Sequence, residues 1–452
     1  MKRLFYYLLT LVLCGGLAAC KKYLDAKSDS KLSTLSTLND LQALLDDNLR
    51  LNQSWDYAAE VSANDYYITD TDLAAIAKDG DRRMYTWEAD RIFLDAGNSW
   101  QNGYRLVYYG NSVLEALDKI NRDEANRLNY DNIKGQAYYF KGTALLQMSF
   151  VWAQAYDEST AKQQPGLPIR ASSDFNVPSV RASLADTYQQ VISDLKHAAA
   201  LLNVAQVHVM RPGKAAAFAM LSRAYLSMNK YPEATLYADS ALRLNSQLLD
   251  YNTLNGAAVN PFPEFKGEVL MSMVVPTPAI LNQSTAKIAN ELYVQYKTGD
   301  LRKSILFKSN GNNTWAFKGN YSGTNSLFCG PAVDEMYLNR AEGYARAGKL
   351  NSALADLNNL MVKRWDKKVN YVAYNSNEPE MVIKWILEER RKELLMRGLR
   401  WVDIKRLNKL GANINLMRSM NTNIKTLKPN DLRFALPIPE VIISLSGMEQ
   451  NP

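Results

Sequence analysis

Two loop-rich stretches of the chain combine aromatic residues with carboxamides and carboxylates, the residue types that bind sugar rings. The first covers residues 55–109, and the second contains Trp315 and Asn320. A sugar ring has an apolar C–H face that packs on an aromatic ring, and its hydroxyls need hydrogen-bonding groups beside it. The alternative is that the rings lie in the core, where most Trp and Tyr side chains are found. The candidate ligand contacts are Trp55, Asp65, Tyr66, Tyr67, Trp87, Trp315 and Tyr321.

Patterns typical of catalysis or metal binding are weak. Glu388 and Glu389 are adjacent, so on a helix they point about 100° apart and do not form an acid–base pair; we expect their charged segment to form structural ion pairs. His197 and His208 have no further ligands at metal-binding spacing. Cys329 has no base near it in sequence, which favours a buried free thiol. We therefore predict no catalytic residues, no metal site and no cofactor.

The N-terminus has the pattern of a secretory signal peptide. Two basic residues precede an apolar run over residues 4–13, which is shorter than the ~20 residues that a membrane-spanning helix needs. The following Leu-Ala-Ala-Cys, ending at Cys20, looks like a bacterial lipobox, in which the cysteine is acylated and becomes the new N-terminus. We predict a signal peptide over residues 1–19 and lipid attachment at Cys20. The alternative is a secreted protein with a chance cysteine at the cleavage site.

Charge and cysteine content exclude some functions. The formal net charge is +7, and removal of residues 1–19 with Lys2 and Arg3 would leave +5. No basic run is interleaved with aromatic residues, so nucleic-acid binding is not indicated. Of the three cysteines, only Cys329 would remain free in the mature chain. The sequence therefore predicts no internal disulfide, and stability must come from a buried core.

Helical periodicity dominates the remaining chain. Apolar residues recur every three or four positions over 132–156, and Ser183 with Asp186 resembles a helix-capping box before a second such stripe. Two further helices are predicted from 214 to about 228 and from Pro232 to about 244. We assign Trp152, Trp385 and Trp401, which lie within helical patterns, to the core.

An internal repeat indicates the architecture. Residues 224–234 and 343–353 have tyrosine, lysine and alanine at identical offsets around a tight turn. This pattern resembles the tetratricopeptide helix pair, in which antiparallel helices bury their apolar faces by stacking. Residues 256–330, rich in Pro, Gly and Asn, interrupt the helices as a loop-rich insertion, within which 268–275 is predicted to form a buried strand.

From Cys20 to its C-terminus, the chain resembles the SusD/RagB family of nutrient-binding lipoproteins from the outer membrane of Bacteroidetes. The most specific part is the charged segment at 388–394 and 397–406. The resemblance also rests on shorter motifs at residues 20–25, 109–114, 192–195, 211–217, 300–302, 436–439 and 450–452.

The periodicity and the resemblance together predict a mainly α-helical, SusD-like fold with a tetratricopeptide-like helical-hairpin core and loop-rich insertions. Its expected regions are 20–230 and 231–452, with the insertion at about 256–330. The resemblance implies a non-enzymatic lipoprotein, anchored in the outer membrane through Cys20 and facing the cell exterior. It would bind an oligosaccharide and deliver it to a SusC-like TonB-dependent transporter. A peptide-binding protein and a purely protein-binding tetratricopeptide scaffold are the alternatives, while a glycan hydrolase lacks an identifiable acid–base pair.

Overall fold

A computed structural model describes residues 35–94, 97–420 and 423–452 of the protein. The predicted signal peptide and Cys20 lie outside these residues. Within them, no helix has both the length and the apolar character needed to cross a membrane. The α-helices are α1 (Leu38–Leu45), α2 (Asn48–Leu51), α3 (Ala58–Ser62), α4 (Asp70–Ala75), α5 (Asp79–Tyr85), α6 (Ser99–Leu117), α7 (Arg127–Trp152), α8 (Leu184–Leu201), α9 (Lys214–Ser227), α10 (Tyr231–Leu244), α11 (Asn290–Tyr293), α12 (Arg302–Ile305), α13 (Val333–Arg346), α14 (Leu350–Val362), α15 (Pro379–Glu393), α16 (Arg400–Asn408) and α17 (Glu440–Ser446).

The strands are short and pair only in twos within the described residues. All five pairs are antiparallel: β1 with β5, β2 with β3, β4 with β8, β6 with β7, and β9 with β10. Their bounds are β1 (Tyr66–Tyr67), β2 (Pro165–Pro168), β3 (Arg181–Ser183), β4 (Val274–Val275), β5 (Lys287–Ile288), β6 (Phe307–Gly311), β7 (Thr314–Phe317), β8 (Leu327–Phe328), β9 (Leu416–Met420) and β10 (Asn423–Leu427).

Stacked helices form the core of the protein, as predicted. In order along the stack, α6 packs on α7, α7 on α8, α8 on α9, α9 on α10, α10 on α13, and α13 on both α14 and α15. The stack is continuous although the insertion separates α10 from α13 in sequence. The mainly α-helical, tetratricopeptide-like prediction is confirmed.

The two repeat hairpins turn in the same way. Asn229, between α9 and α10, has a φ of 57°, and Gly348, at the equivalent position between α13 and α14, has a φ of 73°. Left-handed backbone favours Gly and Asn. Ala224 and Ala353 are fully buried where the paired helices meet, and a side chain at Gly343 would clash with Thr235. Small residues therefore permit the close helix approach that the repeat predicted.

Local signals set the helix boundaries. Ser183 caps α8, since its Oγ accepts a hydrogen bond from the Asp186 N–H at 3.0 Å. The helix predicted over 132–156 begins five residues earlier, at Arg127, and ends at Trp152.

The strand predicted over 268–275 forms only at Val274–Val275. The preceding residues are buried, but their backbone amides donate to irregular partners: Leu270 to the carbonyl of Pro331 at 3.1 Å and Ser272 to that of Val209 at 2.7 Å. The apolar run correctly predicted that this segment is buried. Over most of 268–275, however, no neighbouring strand pairs with it.

The charged segment near the C-terminus forms a buried ion-pair network. Arg302 contacts carboxylate oxygens of Asp300 at 2.7 Å, Glu389 at 2.6 Å and Glu393 at 3.0 Å. Burial alone would raise the pKa of Glu389, but Arg302 and Lys392 hold it at about 2. The segment is structural, as the sequence indicated, and it joins the insertion to α15.

Candidate ligand-binding site

The insertion contributes a β-hairpin whose sequence fixes its turn. In the β6–β7 pair, Phe307 faces Phe317 and Ser309 faces Trp315. The connecting residues Asn312 and Asn313 have φ values of 51° and 56°. Two consecutive left-handed residues are typical of the type I′ turn that closes tight hairpins, and Asn accepts this conformation readily.

Trp315 stacks on Tyr293 at the end of α11. Their ring centroids are 3.6 Å apart and the planes are inclined by 15°. Phe307 packs its edge against Tyr293 at 5.2 Å, and the Lys303 ammonium lies 5.0 Å from the Tyr293 centroid. Both stacked rings remain half-buried, so the pair is held in place by packing while part of it stays accessible.

A cleft of about 510 Å³ opens on this insertion, and Phe317 lies in its wall. Side chains two residues apart on a strand share a face about 7 Å apart, which puts Trp315 on the Phe317 side of β7. The lining also contains Thr277, Ser284 and Lys308, but no carboxylate. Five carboxamides complete the polar lining: Asn282, Gln283, Asn310, Asn320 and Asn325.

Asn320 has an unsatisfied acceptor in the cleft wall. The residue is only 6 % exposed, and its Oδ1 atom has no hydrogen-bond partner among the described residues. Buried polar atoms are paired in the great majority of proteins, with protein groups, water or ligands. The cleft therefore contains a group that a ligand hydroxyl could satisfy.

Trp55 and Trp87, two of the predicted ligand contacts, are core residues. The indole Nε1 of Trp55 donates to the Leu51 carbonyl at 2.9 Å, and that of Trp87 donates to the Ser62 carbonyl at 3.0 Å. Both side chains are buried. Because both rings are buried, and each indole also satisfies its one donor on the backbone, neither provides a platform at the protein surface.

Tyr66 is buried beside an arginine that comes from the C-terminal region of the chain. The Arg418 guanidinium lies 5.2 Å from the ring centroids of Tyr66 and Trp87 and 4.0 Å from that of Tyr85. It also donates to backbone carbonyls, including that of Tyr66 at 2.9 Å. These rings surround a buried cation instead of a ligand.

Asp65 and Tyr321 also have interaction partners inside the protein. Asp65 is buried and pairs with Arg391 at 2.7 Å. The Tyr321 hydroxyl lies 2.9 Å from that of Tyr251, and the Lys266 ammonium lies 3.7 Å from the Tyr321 centroid. Their polar groups already have partners.

Of the predicted contacts, Tyr67 and Trp315 retain accessible rings. Tyr67 is 39 % exposed and faces Lys287 in the β1–β5 pair. Strand β5 in turn packs against β7, which carries Trp315. The two accessible aromatic residues are thus on neighbouring strand pairs.

The sequence did not reveal a second aromatic cavity, which lies between α14, α15 and their connection. Its volume is about 760 Å³, and Trp365, Tyr371, Tyr374 and Trp385 line it. Trp385, assigned to the core from its helical pattern, is half-buried here and packs on Tyr374 with centroids 5.1 Å apart. The aromatic residues and asparagines of 365–375 were the signal that could have located this cavity.

Two protein-family models match most of the chain. One, described as "Starch-binding associating with outer membrane", matches residues 22–226. The other, described as "SusD family", matches residues 334–452. The candidate cleft lies between the matched segments. A comparison with curated protein sequences gives no match.

Solved structures share the whole fold. A SusD superfamily protein from Bacteroides thetaiotaomicron is 22 % identical, with a TM-score of 0.74 over 92 % of this chain and 100 % of that one. A putative sugar binding protein from Bacteroides vulgatus is 21 % identical, with a TM-score of 0.76 over 93 % of this chain and 99 % of that one. A SusD-like carbohydrate binding protein from the same species is 18 % identical, with a TM-score of 0.64 over 91 % of this chain and 96 % of that one. The family resemblance predicted from the sequence is confirmed: the chain belongs to the SusD/RagB family.

Proposed function

We propose that this protein binds an oligosaccharide in the insertion cleft and delivers it to a SusC-like TonB-dependent transporter. The observation that carries the proposal is the stacked Tyr293–Trp315 pair beside a cleft lined by five carboxamides. Two structures with the same fold belong to proteins described as sugar or carbohydrate binding, which supports this ligand class.

The cleft offers both kinds of contact that a sugar needs. Phe317 in the cleft wall, with the half-buried ring of Trp315 beside it on the same face of β7, provides flat apolar surface for the C–H face of a ring. The carboxamides each donate and accept hydrogen bonds, which matches the dual character of hydroxyl groups. A volume of about 510 Å³ is also within the range of small-molecule sites.

The predicted signal peptide and the predicted lipid attachment at Cys20 indicate where the protein would act. Acylation of Cys20 would tether the protein to the outer membrane, with the folded part facing the cell exterior. A tethered binding protein keeps its ligand near a transporter in the same membrane, since tethering raises the effective concentration of one partner at the other. The family description also refers to the outer membrane.

Two alternatives predict different behaviour. A peptide-binding relative would bind peptides at the same cleft, and a purely protein-binding scaffold would use the helical stack and bind no small ligand. No acid–base pair of carboxylates lines the cleft, so the geometry gives no support to glycan hydrolysis.

Calorimetric titration of the acyl-free protein distinguishes these possibilities. The ligands are the oligosaccharides processed by enzymes encoded beside this gene. Trp315→Ala is expected to weaken binding by about tenfold through loss of stacking, ~1.4 kcal/mol, without lowering the melting temperature to the extent of a core truncation. Trp385→Ala, which removes a half-buried tryptophan from the other cavity, is the matched control.

The outcome separates the hypotheses. Weaker binding by Trp315→Ala, together with normal binding by Trp385→Ala, supports the cleft. Equal binding by both variants, or binding of peptides without any oligosaccharide, contradicts the proposal.

A further inference from the structure

We propose that the insertion cleft selects anionic oligosaccharides, chains that carry uronate or sulfate groups. The inference rests on the proposed function, because it specifies the ligand class of the same cleft. Its basis is a group of lysines, one in the cleft and two beside it, that have no carboxylate ion pair within the described part of the chain, while the cleft lining contains no carboxylate. We refer to Lys303, Lys308 and Lys318 as the lysine group.

Lys308 lies in the cleft itself. It follows Phe307 on β6, is exposed, and lines the cleft together with Asn310. It forms no ion pair with any carboxylate among the described residues. Its ammonium therefore remains open to a ligand.

Lys318, the residue that follows β7, adds a second positive charge. It is 7 % exposed, and its ammonium donates to the backbone carbonyls of Gly256 and Ala258. Burial, with a further contribution from the charge of Lys308, lowers the pKa of Lys318. The positive charge of Lys308 thus acts on Lys318, which has no ion pair with a carboxylate among the described residues.

Lys303 places a third charge at the aromatic pair. Its ammonium lies 5.0 Å from the centroid of Tyr293, which stacks on Trp315. By contrast, the nearby Lys287 is neutralised by an ion pair with Asp72. Lys287 is thus compensated, whereas none of the three lysines of the lysine group has a carboxylate ion pair among the described residues.

The charge distribution favours one ligand class. Clustered like charges raise the local potential, and a cleft concentrates that potential and attracts ions of opposite sign. A cationic ligand would be repelled, and a neutral one would leave the repulsion among the lysine group unchanged. A carboxylate or sulfate on the sugar would relieve it, while the carboxamides bind the hydroxyls.

The test compares ligands that differ only in charge. The acyl-free protein is titrated with hexagalacturonate and with its fully methyl-esterified form. It is also titrated with three neutral hexasaccharides: maltohexaose, cellohexaose and xylohexaose. We expect hexagalacturonate to bind about tenfold more tightly than its ester at low salt. The preference should shrink as added salt screens the lysine group.

Two lysine variants test whether the preference for the anionic ligand arises at the cleft. Lys308→Gln is expected to reduce the preference for hexagalacturonate over its ester. Lys297→Gln, at an exposed lysine of the other cavity, makes the same charge change elsewhere and should leave the preference intact. Trp315→Ala should weaken binding of all ligands that occupy the cleft.

The two proposals fail in different ways. Equal binding of the acid and the ester, or tighter binding of a neutral hexamer, with loss in Trp315→Ala, overturns the anionic preference and keeps the cleft as a glycan site. Equal effects of Lys308→Gln and Lys297→Gln also overturn it. Absence of binding by every oligosaccharide, or binding that Trp315→Ala does not change, contradicts both proposals.

Discussion

The rings of Tyr293 and Trp315 stack with their centroids 3.6 Å apart and their planes within 15° of parallel. Tyr293 ends a short helix, and Trp315 lies on the hairpin strand β7. The contact therefore fixes the indole relative to the cleft lined by Phe317 and Asn320. Tyr293 acts as a positioning residue for the proposed sugar platform.

Replacing Tyr293 should loosen this platform. Tyr293→Phe keeps the stacked ring and should bind oligosaccharide like the wild type. Tyr293→Ala removes the stack, worth about 1 kcal/mol, and should weaken binding because Trp315 is no longer held in one orientation. Calorimetry on both variants tests this expectation, and normal binding by Tyr293→Ala would show that the stack does not position the platform.

Arg302 should be among the most sensitive positions of the ion-pair network. Arg302→Met removes the cation that Asp300, Glu389 and Glu393 share. Glu389 keeps Lys392 and Glu393 keeps Arg364, but Asp300 is left as an unpaired buried charge, which costs about 3–5 kcal/mol. Arg243, whose pair with Asp239 is on an exposed helix face, is the control, and Arg243→Met should change stability little. Denaturant unfolding of both variants measures the difference, and equal stabilities would contradict the structural role of the network.

Glu60 should make stability depend on pH. Burial, followed by the nearby charge of Asp65, raises the pKa of Glu60 to about 8, although its Oε2 accepts a hydrogen bond from the Gly398 N–H at 2.8 Å. The folded protein retains this proton while the unfolded chain, with a pKa of 4.5, releases it. Stability should therefore fall as pH rises from about 4.5 to about 8, by up to ~1.4 kcal/mol per pH unit.

The matched variant for this expectation is Glu60→Gln, whose amide oxygen can still accept the Gly398 hydrogen bond. Its unfolding free energy should lack the Glu60 contribution to the pH slope. Parallel pH profiles for the variant and the wild type, measured between pH 5 and 8, would mean that Glu60 is ionised in the folded protein.

The helical core was largely predictable from the sequence because its signals are local. The cap at Ser183 and the equivalent turns at Asn229 and Gly348 depend on residues close in sequence. The burial of the N-terminal aromatic residues was not predictable in this way. Trp87 and Tyr66 surround Arg418, which follows them by more than 300 residues, and no local pattern reports that contact.

Contacts between residues distant in sequence also limited the prediction of the candidate site. Trp315 was identified because it lies among loop residues and asparagines, whereas its partner Tyr293 lies in a separate short helix. Trp385 illustrates the opposite case, since a helical pattern placed it in the core but its ring borders a cavity. Periodicity shows that a residue lies on a helix, but which neighbour covers its side chain depends on the tertiary packing.

The proposed lipid anchor can be tested independently of the ligand. Cys20 is the proposed site of acylation, so Cys20→Ser should release the protein from membranes or leave it as an uncleaved precursor. Membrane fractionation and metabolic labelling with a fatty acid measure this outcome. A variant that is still lipidated and fully membrane-bound would show that the anchor lies elsewhere.

The most direct test of the central claim is a crystal structure of the acyl-free protein with the oligosaccharide that binds most tightly in solution. We expect sugar density in the insertion cleft, with one ring packed on the Trp315 side of β7 and a hydroxyl donating to the Oδ1 of Asn320. Density confined to the cavity of Trp365 and Trp385, or to any surface away from the insertion, would contradict the account.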